Sequence, residues 1–443
     1  MKKALWILVL SMFLAWQTVS QAASTVDSLI EKLVDKGILT NQDAVQLKGQ
    51  IAYEEKAATE EVAKKQVPDW VQNFKIGGDF RARIQDERRE SGAGAAQGDR
   101  VRARMRARLN FETKVNDKAK VVVGMATDGG AQNNNFNNPR SSNYTYSSYS
   151  GTSAANPFSK PYVVLNKAYG QYMFNDKLTL TAGKMDNPIW EPMEFLWDSD
   201  ITPEGGALQY NYKLNDKVSL FSAGSFFMLN EFNPSTSDPF MFVGQFGTVV
   251  KPLDKMDVKA AVSYTGYNNI KTGFTGPASG SSSGTNNTLN TNNGTNGLMY
   301  DYSAPMGAIE LGFNDPFGEM LPAPIYIPRI SLFGEYTMNP SPENKNVAWM
   351  AGAYMGNSKV NGFGTWKATF AYKSIARDAW LDIFPDSDFY SGQTGIEGTE
   401  GILELGLAKN MSFVVDYYRA HRTTSIAAKA PEHLIQYDFN WKF

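Results

Sequence analysis

Alternation of apolar and polar residues is the strongest pattern in the chain, and it is clearest between residues 101 and 113. Four arginines occupy every second position there, and small or apolar residues fill the positions between them. Because successive side chains of a β-strand point to opposite faces, this spacing predicts a strand with one apolar face and one guanidinium face. A helix would carry arginine on both sides, so the helical interpretation fails. The arginines are Arg102, Arg104, Arg106 and Arg108.

Such a strand needs an apolar environment on one side and water or carboxylates on the other. A transmembrane β-barrel supplies both, with lipid outside and a polar lumen inside. An arginine that faces lipid near the bilayer midplane costs about 2–4 kcal/mol, so four would cost on the order of 10 kcal/mol. We therefore expect the arginines to line the lumen. A preceding strand near residues 74–85 adds Arg81 and Arg83 to the same face.

Strand-like segments, tight turns and long polar loops alternate along the rest of the chain. Three turns share the tripeptide Asn-Asp-Lys, at residues 116–118, 175–177 and 215–217. Asn and Asp tolerate the backbone angles of tight hairpins, and short turns opposite long loops are typical of an outer-membrane barrel with periplasmic turns. The pattern predicts an all-β, antiparallel barrel of sixteen strands near residues 74–85, 101–113, 118–127, 164–174, 177–186, 205–213, 217–229, 240–251, 256–267, 303–313, 328–338, 347–356, 364–376, 399–408, 411–421 and 432–443.

The first residues differ from the barrel region. Two lysines, an apolar core and a small-x-small site ending at Ala22 predict a secretory signal peptide over residues 1–22. Residues 23–67 predict a periplasmic helical pair, with Thr40 and Asp43 placed as an N-cap and an acid three positions later. The second helix could self-associate as a short coiled coil, and the alternative is a solvated spacer. Residues 68–443 then form the barrel.

The last strand has aromatic residues at every second position on one face. Amphipathic rings are favoured at a membrane interface, so these residues are expected at the periplasmic girdle. The same ending resembles the signal recognised by the bacterial barrel-assembly machinery. The residues are Tyr437, Phe439, Trp441 and Phe443.

Composition narrows the function. The chain has no cysteine, which removes thiolate metal sites, haem attachment and cysteine nucleophiles, and it has only two histidines. Neither His421 nor His433 has a nearby serine motif, so we expect no enzyme activity, and no stretch predicts a metal or cofactor site. A formal net charge of −2 is too mild to indicate a nucleic-acid partner. After the signal there is no run of 18 apolar residues, so a helical membrane protein is not expected.

Three segments resemble bacterial outer-membrane porins, and more closely the deltaproteobacterial group called putative porins. They are the stretches LIEKLVDKGILTNQDA, LTLTAGKMDNP and QYDFNWKF, which begin at residues 29, 178 and 436. The resemblance implies a 16-stranded barrel in the outer membrane of a Gram-negative bacterium, surrounded by lipid and lipopolysaccharide and often trimeric. It also implies passage of small hydrophilic solutes, and a loop folded into the lumen with acids opposite a row of arginines.

A loop in the expected position follows the fifth predicted strand, near residues 185–205. It is rich in acids and also in proline and aromatic residues, so it is expected to pack against something, either the inner wall or the rim. Its acids are Asp186, Glu191, Glu194, Asp198, Asp200 and Glu204.

Opposed charges across a narrow lumen favour small polar solutes, and an excess of arginine predicts a mild preference for anions. One alternative is that the arginines only satisfy acids on the wall, such as Asp79, Glu112, Glu310, Glu335, Glu404 and Asp416. Another is a structural or conduit barrel that serves as a sleeve for a periplasmic partner or as an envelope anchor.

Overall fold

The computed structural model describes residues 30, 32–36, 40, 42–51, 54, 73–89, 99–128, 140–146, 158, 160–231, 237–271, 287–290, 297–320, 326–423 and 431–443. The chain divides into two compact units, Met1–Asn73 and Phe74–Phe443. The predicted signal peptide and most of the predicted second helix beyond residue 54 lie outside the described residues.

The N-terminal unit is helical at residues 32–35 and 42–51. The Thr40 hydroxyl accepts a hydrogen bond from the Asp43 amide at 3.1 Å, and the Asp43 carboxylate accepts one from the Thr40 amide at 3.1 Å. This reciprocal pair satisfies two amide groups that a helix start leaves without partners. The predicted cap at Thr40 is therefore present. Within the described residues, no helix is both long and apolar enough to cross a membrane.

Within the described residues, sixteen long antiparallel strands form the wall of the second unit, and the two-residue strands Tyr144–Thr145, Leu289–Asn290 and Gly297–Leu298 lie in its loops. The wall strands are β1 (Lys75–Arg89), β2 (Arg100–Asn116), β3 (Ala119–Asp128), β4 (Tyr162–Met173), β5 (Leu178–Lys184), β6 (Glu204–Lys213), β7 (Val218–Met228), β8 (Phe240–Leu253), β9 (Met256–Asn268), β10 (Ala304–Asn314), β11 (Arg329–Met338), β12 (Val347–Gly356), β13 (Trp366–Ile375), β14 (Ile396–Ala408), β15 (Met411–Arg422) and β16 (Glu432–Lys442). Each pairs with its neighbours along the chain, and β1 also pairs with β16, so the sheet closes. The predicted 16-stranded barrel is confirmed.

Burial follows the alternation that the sequence predicts. In β16, Tyr437 and Phe439 are 39% and 46% exposed, whereas the intervening Gln436 and Asp438 are buried. The residues of one parity therefore face outward and those of the other face the lumen. In β2 the inward set is the arginine row, because Arg106 and Arg108 contact acids inside the barrel.

The three Asn-Asp-Lys turns have the same local geometry. The side-chain oxygen of Asn116 accepts a hydrogen bond from the amide two residues later at 2.9 Å. Asn175 and Asn215 do the same at 2.9 and 2.8 Å. Each asparagine thus supplies an acceptor that replaces a backbone carbonyl in the turn, which explains why this residue recurs. We call the end of the barrel that carries these turns the turn end, and the opposite end the loop end.

Two of the loops that the structure describes fold into the lumen from the loop end. The first joins β5 to β6, and the second joins β13 to β14; we call them the acidic loop (residues 185–203) and the second inner loop (residues 376–395). Their apolar side chains pack on each other, with the rings of Trp197 and Phe384 stacked at 4.7 Å between centroids. Part of the lumen is therefore filled by a hydrophobic core that includes Phe195, Leu196, Trp380, Leu381 and Phe389.

Candidate functional site

Six guanidinium groups meet on the inner face of two neighbouring strands. Pairing of β1 with β2 puts Arg81 directly opposite Arg106, and Arg83 directly opposite Arg104. Like charges directly opposite each other in an antiparallel pair are destabilising, so this block requires carboxylates nearby.

Arg83 forms ion pairs with two carboxylates. Its guanidinium donates two hydrogen bonds to Asp438 of β16, at 2.7 and 2.8 Å, and a third to Asp388 of the second inner loop at 3.0 Å. A two-pronged pair of this kind fixes orientation as well as charge. Burial by itself would raise the pKa of Asp388, but the positive charges of Arg83 and Arg104 outweigh it and lower that pKa to about 2. Asp388 therefore remains ionised.

Arg106 and Arg108 share two acids. Both contact Asp79 on the neighbouring strand, at 3.1 and 2.8 Å, and both lie 3.4–3.5 Å from Asp200 of the acidic loop. The amide of Ser142 also donates a hydrogen bond to Asp200 at 3.2 Å. Asp200 thus brings the acidic loop against the arginine row.

Arg104 differs from the other five arginines. Arg102 pairs with Glu87 at 2.8 Å, and Arg81 lies 3.6 Å from Asp438. Within the described part of the chain, Arg104 has no carboxylate within 4 Å, and it donates only to neutral oxygens of Gln85 and Ser141. Five arginines of the block therefore pair with a carboxylate within 4 Å, and Arg104 does not. In this part of the chain the six guanidinium groups face five acids, so the block has a surplus of one positive charge, which we assign to Arg104. These acids are Asp79, Glu87, Asp200, Asp388 and Asp438.

Other acids predicted for this loop pair elsewhere, and one of them, Glu204, is the first residue of β6. Asp186 pairs with Lys167, and Glu204 pairs with Lys184 at 2.9 Å. The carboxylate oxygens of Glu194, Asp198 and Asp386 lie within 4.8 Å of one another. Of the six predicted loop acids, the described structure brings only Asp200 into ion pairs with the arginine row.

The carboxylate cluster of Glu194, Asp198 and Asp386 contains the ligand type that a cation such as calcium prefers. However, Lys373 of β13 already contacts Asp386 at 2.9 Å and Glu400 at 2.5 Å, and its side chain is fully buried. This ammonium supplies one positive charge, shared between Asp386 and Glu400. Burial and the neighbouring acids raise the pKa of Glu194 and Asp198 well above the usual range, which favours their neutral forms. We therefore assign no metal to the cluster.

Comparison with known families decides the identity. The family model described as "Putative porin" matches residues 92–296 and 329–443, which is more than half of the chain. The chain belongs to this family. Membership and the closed barrel support an outer-membrane porin channel rather than an enzyme. No curated protein matches the chain by sequence.

Solved porin structures resemble this porin in fold. OprB of Pseudomonas putida is 10% identical, with a TM-score of 0.50 over 84% of this chain and 95% of that one. The outer-membrane channel DcaP of Acinetobacter baumannii is 12% identical, with a TM-score of 0.43 over 84% and 97%. An engineered porin variant from Rh. blastica is 10% identical, with a TM-score of 0.42 over 84% and 100%. At these identities the likeness to OprB concerns the fold alone.

Several residues that contact the arginine block or fasten the inner loops of this porin were not identified from the sequence. Asp438 and Asp388 pair with Arg83, and the buried Arg140 donates to the carbonyl oxygens of Asp382, Pro385 and Gly392 at 3.1, 3.3 and 2.9 Å. Arg140 thereby fastens the second inner loop to the connection between β3 and β4. That loop has the same mixture of acids and aromatic residues as the acidic loop, which is the signal that could have identified it.

The wall acids named as an alternative for the arginines have mixed partners. Asp79 pairs with two arginines of the row, as above. Glu112 instead pairs with Lys120 at 3.0 Å, and Glu310 pairs with Arg329 at 3.3 Å. Compensation of the row therefore comes partly from the wall and partly from the two inner loops.

The terminal aromatic residues of this porin lie beside β1. The amide of Phe443 donates to the carbonyl of Gly78 at 3.0 Å, and the Gly78 amide donates back at 2.8 Å. A Cβ atom at position 78 would stand 2.2 Å from the Arg108 carbonyl oxygen and 2.9 Å from the Phe443 ring. Glycine therefore allows both neighbours to approach β1 closely. The role of these aromatics in barrel assembly remains a prediction.

The ion preference of this porin is expected to depend on pH. Burial raises the pKa of Glu191 and Glu194 well above the usual range, and the nearby Glu335 and Asp386 raise these pKa values further. These side chains therefore take up protons, and lose negative charge, at a higher pH than free carboxyls do. We expect the reversal potential under a salt gradient to shift toward anion preference as the pH is lowered, and to begin shifting at a higher pH than free carboxyls would require. A shift toward cation preference on acidification would contradict this assignment.

Proposed function

We propose that this porin is a passive diffusion channel for small hydrophilic solutes and ions, with a mild preference for anions. The observation that carries the proposal is the surplus charge of Arg104 within an otherwise compensated arginine block. Rings of arginine favour anions in pores, and a single uncompensated guanidinium accounts for a mild preference.

A cavity beside Arg106 and Arg108 also supports the entry of solutes from the turn end of the barrel. Its volume is about 740 Å³, and it is lined by Asp79, Arg106, Arg108, Glu112 and Lys442, among others. A solute that enters this cavity meets guanidinium groups before it reaches the packed inner loops.

The proposal is tested by single-channel conductance of the purified protein in planar bilayers, with the reversal potential measured under a potassium chloride gradient. Stepwise, ohmic conductance with a reversal potential toward the chloride equilibrium potential is expected. A folded barrel that never conducts would overturn the channel proposal and favour a structural or conduit barrel. Conductance with cation preference would overturn only the proposed selectivity.

Assembly and location extend this proposal. We infer removal of residues 1–22, a periplasmic position for residues 23–67, insertion by the barrel-assembly machinery and a homotrimer in a lipopolysaccharide-containing membrane. The family relationship and the turn-end and loop-end asymmetry support these inferences. Chemical crosslinking of membranes that contain the protein would test the trimer.

A further inference from the structure

A second cavity lies in the turn half of the barrel and away from the arginine row. Its volume is about 870 Å³, and its lining comes from the turn between β4 and β5, from the start of the acidic loop and from strands β6 to β9. The lining residues that matter here are Pro188, Trp190, Asn211, Phe221 and Lys259. A cavity of this size can enclose a small organic molecule.

Two aromatic rings fix the Lys259 ammonium at the edge of this cavity. Its nitrogen lies 4.3 Å from the ring centroid of Trp190 and 5.1 Å from that of Phe221. The two rings stand edge to face, with an interplanar angle of 81°. Such contacts hold a cation in place while leaving its N–H groups free to donate.

The rings are themselves held by specific contacts. The amide of Trp190 donates to the side chain of Gln245 at 2.9 Å, and the Gln245 side chain donates back to the Trp190 carbonyl at 2.9 Å. Phe221 lies flat over Gly247, where an added Cβ would stand 2.1 Å from the ring. These contacts hold Trp190 and Phe221 in place on the inner side of the barrel, and the two rings in turn position Lys259.

The Lys259 ammonium is not engaged by a direct ion pair among the described residues. It makes no ion pair or hydrogen bond there, although Glu310 lies directly opposite in the strand register. Glu310 instead accepts hydrogen bonds from Ser331 at 2.9 Å and from Tyr354 at 3.0 Å, and it pairs with Arg329. The ammonium thus has donors to offer to a ligand in the cavity.

The remaining lining indicates what that ligand would be. Asn211 is exposed and supplies a neutral amide, and Pro188, Trp190, Phe221 and Val249 supply apolar surface. The one carboxylate among the described lining residues is Asp176, which lies in the Asn-Asp-Lys turn at 175–177. A ligand with one negative end and an apolar body matches this distribution.

We propose that this cavity is a binding site for a small organic carboxylate with an apolar body. The carboxylate accepts hydrogen bonds from Lys259 and Asn211, and the body packs on Trp190, Phe221 and Pro188. Binding would make the channel selective for such solutes beyond its general anion preference. The binding site is inferred from the cavity itself, and it rests on the proposed channel function only because the channel is the route by which the solute reaches the cavity.

The test is a calorimetric titration of the detergent-solubilised full chain with benzoate, which has both features. Acetate retains the charge without the body, and benzyl alcohol retains the body without the charge. We expect benzoate to bind at least about tenfold more tightly than either, because charge-assisted hydrogen bonds and apolar contact act together. No binding of benzoate, or equal binding of acetate, would overturn the proposal.

Variants separate this site from general attraction to lysine. Lys259→Met should weaken benzoate binding about tenfold or more, and Asn211→Ala by severalfold, since each removes a donor. Lys367→Met is the matched control, because Lys367 also lies over a ring, at 4.1 Å from Tyr354, but borders another cavity. An equal loss in Lys367→Met would overturn the assignment. Conductance without benzoate is measured separately, so failure of the channel proposal remains distinguishable from failure of this one.

Discussion

Lys373→Met is expected to weaken the attachment of the second inner loop and to increase single-channel conductance. Lys373 is fully buried and bridges Asp386 of that loop and Glu400 of β14. Removal of one partner from a buried ion pair typically costs about 3–5 kcal/mol, because the remaining charge has no compensation. We therefore expect the heat-induced mobility change of the folded barrel on gels to occur at a lower temperature than in wild type.

Acidification should partly reverse the effect of Lys373→Met. The loss of stability should be largest at high pH and should shrink as the pH falls, because acid neutralises the negative charge that the missing ammonium leaves uncompensated. Lys367→Met serves as the control, since Lys367 makes no ion pair among the described residues and contacts the ring of Tyr354. Wild-type conductance and stability in Lys373→Met would show that the loop is held mainly by its apolar core.

Arg104→Gln is expected to abolish the proposed anion preference. Arg104 carries the surplus charge of the arginine block, and its neighbours Arg83 and Arg102 are each paired with acids. Neutralising it leaves the block balanced, so we expect the ratio of chloride to potassium permeability to fall from its mild excess to about one. The measurement is the reversal potential of single channels under a salt gradient.

Arg104→Lys provides the matched control because it keeps the charge and loses only the planar guanidinium. It should retain most of the anion preference. If Arg104→Gln and the wild type had the same reversal potential, the surplus charge would lie elsewhere in the lumen. If Arg104→Lys lost the preference as completely as Arg104→Gln, the hydrogen bonds of the guanidinium rather than its charge would be responsible.

The fold was predictable because its determinants are local. A period of two identifies the inward and outward faces, and the energetic penalty for arginine in lipid fixes which face is which. The asparagine of each Asn-Asp-Lys turn marks a hairpin, and these signals recur along the chain. The strands could therefore be placed without knowing their partners.

The partners of the arginines were not predictable in the same way. Asp438 reaches Arg83 only through the register between the last strand and the first, and Asp388 depends on the path of a loop. Position in sequence suggested that the whole acidic loop faces the arginines, but its backbone directs only Asp200 there. Glu194 and Asp198 turn instead toward Asp386. Neither loop path follows from periodicity.

The pair between Arg83 and Asp438 has a consequence for the order of assembly. These residues are separated by 355 positions and belong to the first and last strands of the barrel. A chain whose last strand has not yet joined the first leaves Arg83 without this acid. The balance of charge to which we attribute the proposed ion preference would therefore be established only when the last strand joins the first, and an open intermediate would present an excess of cationic groups.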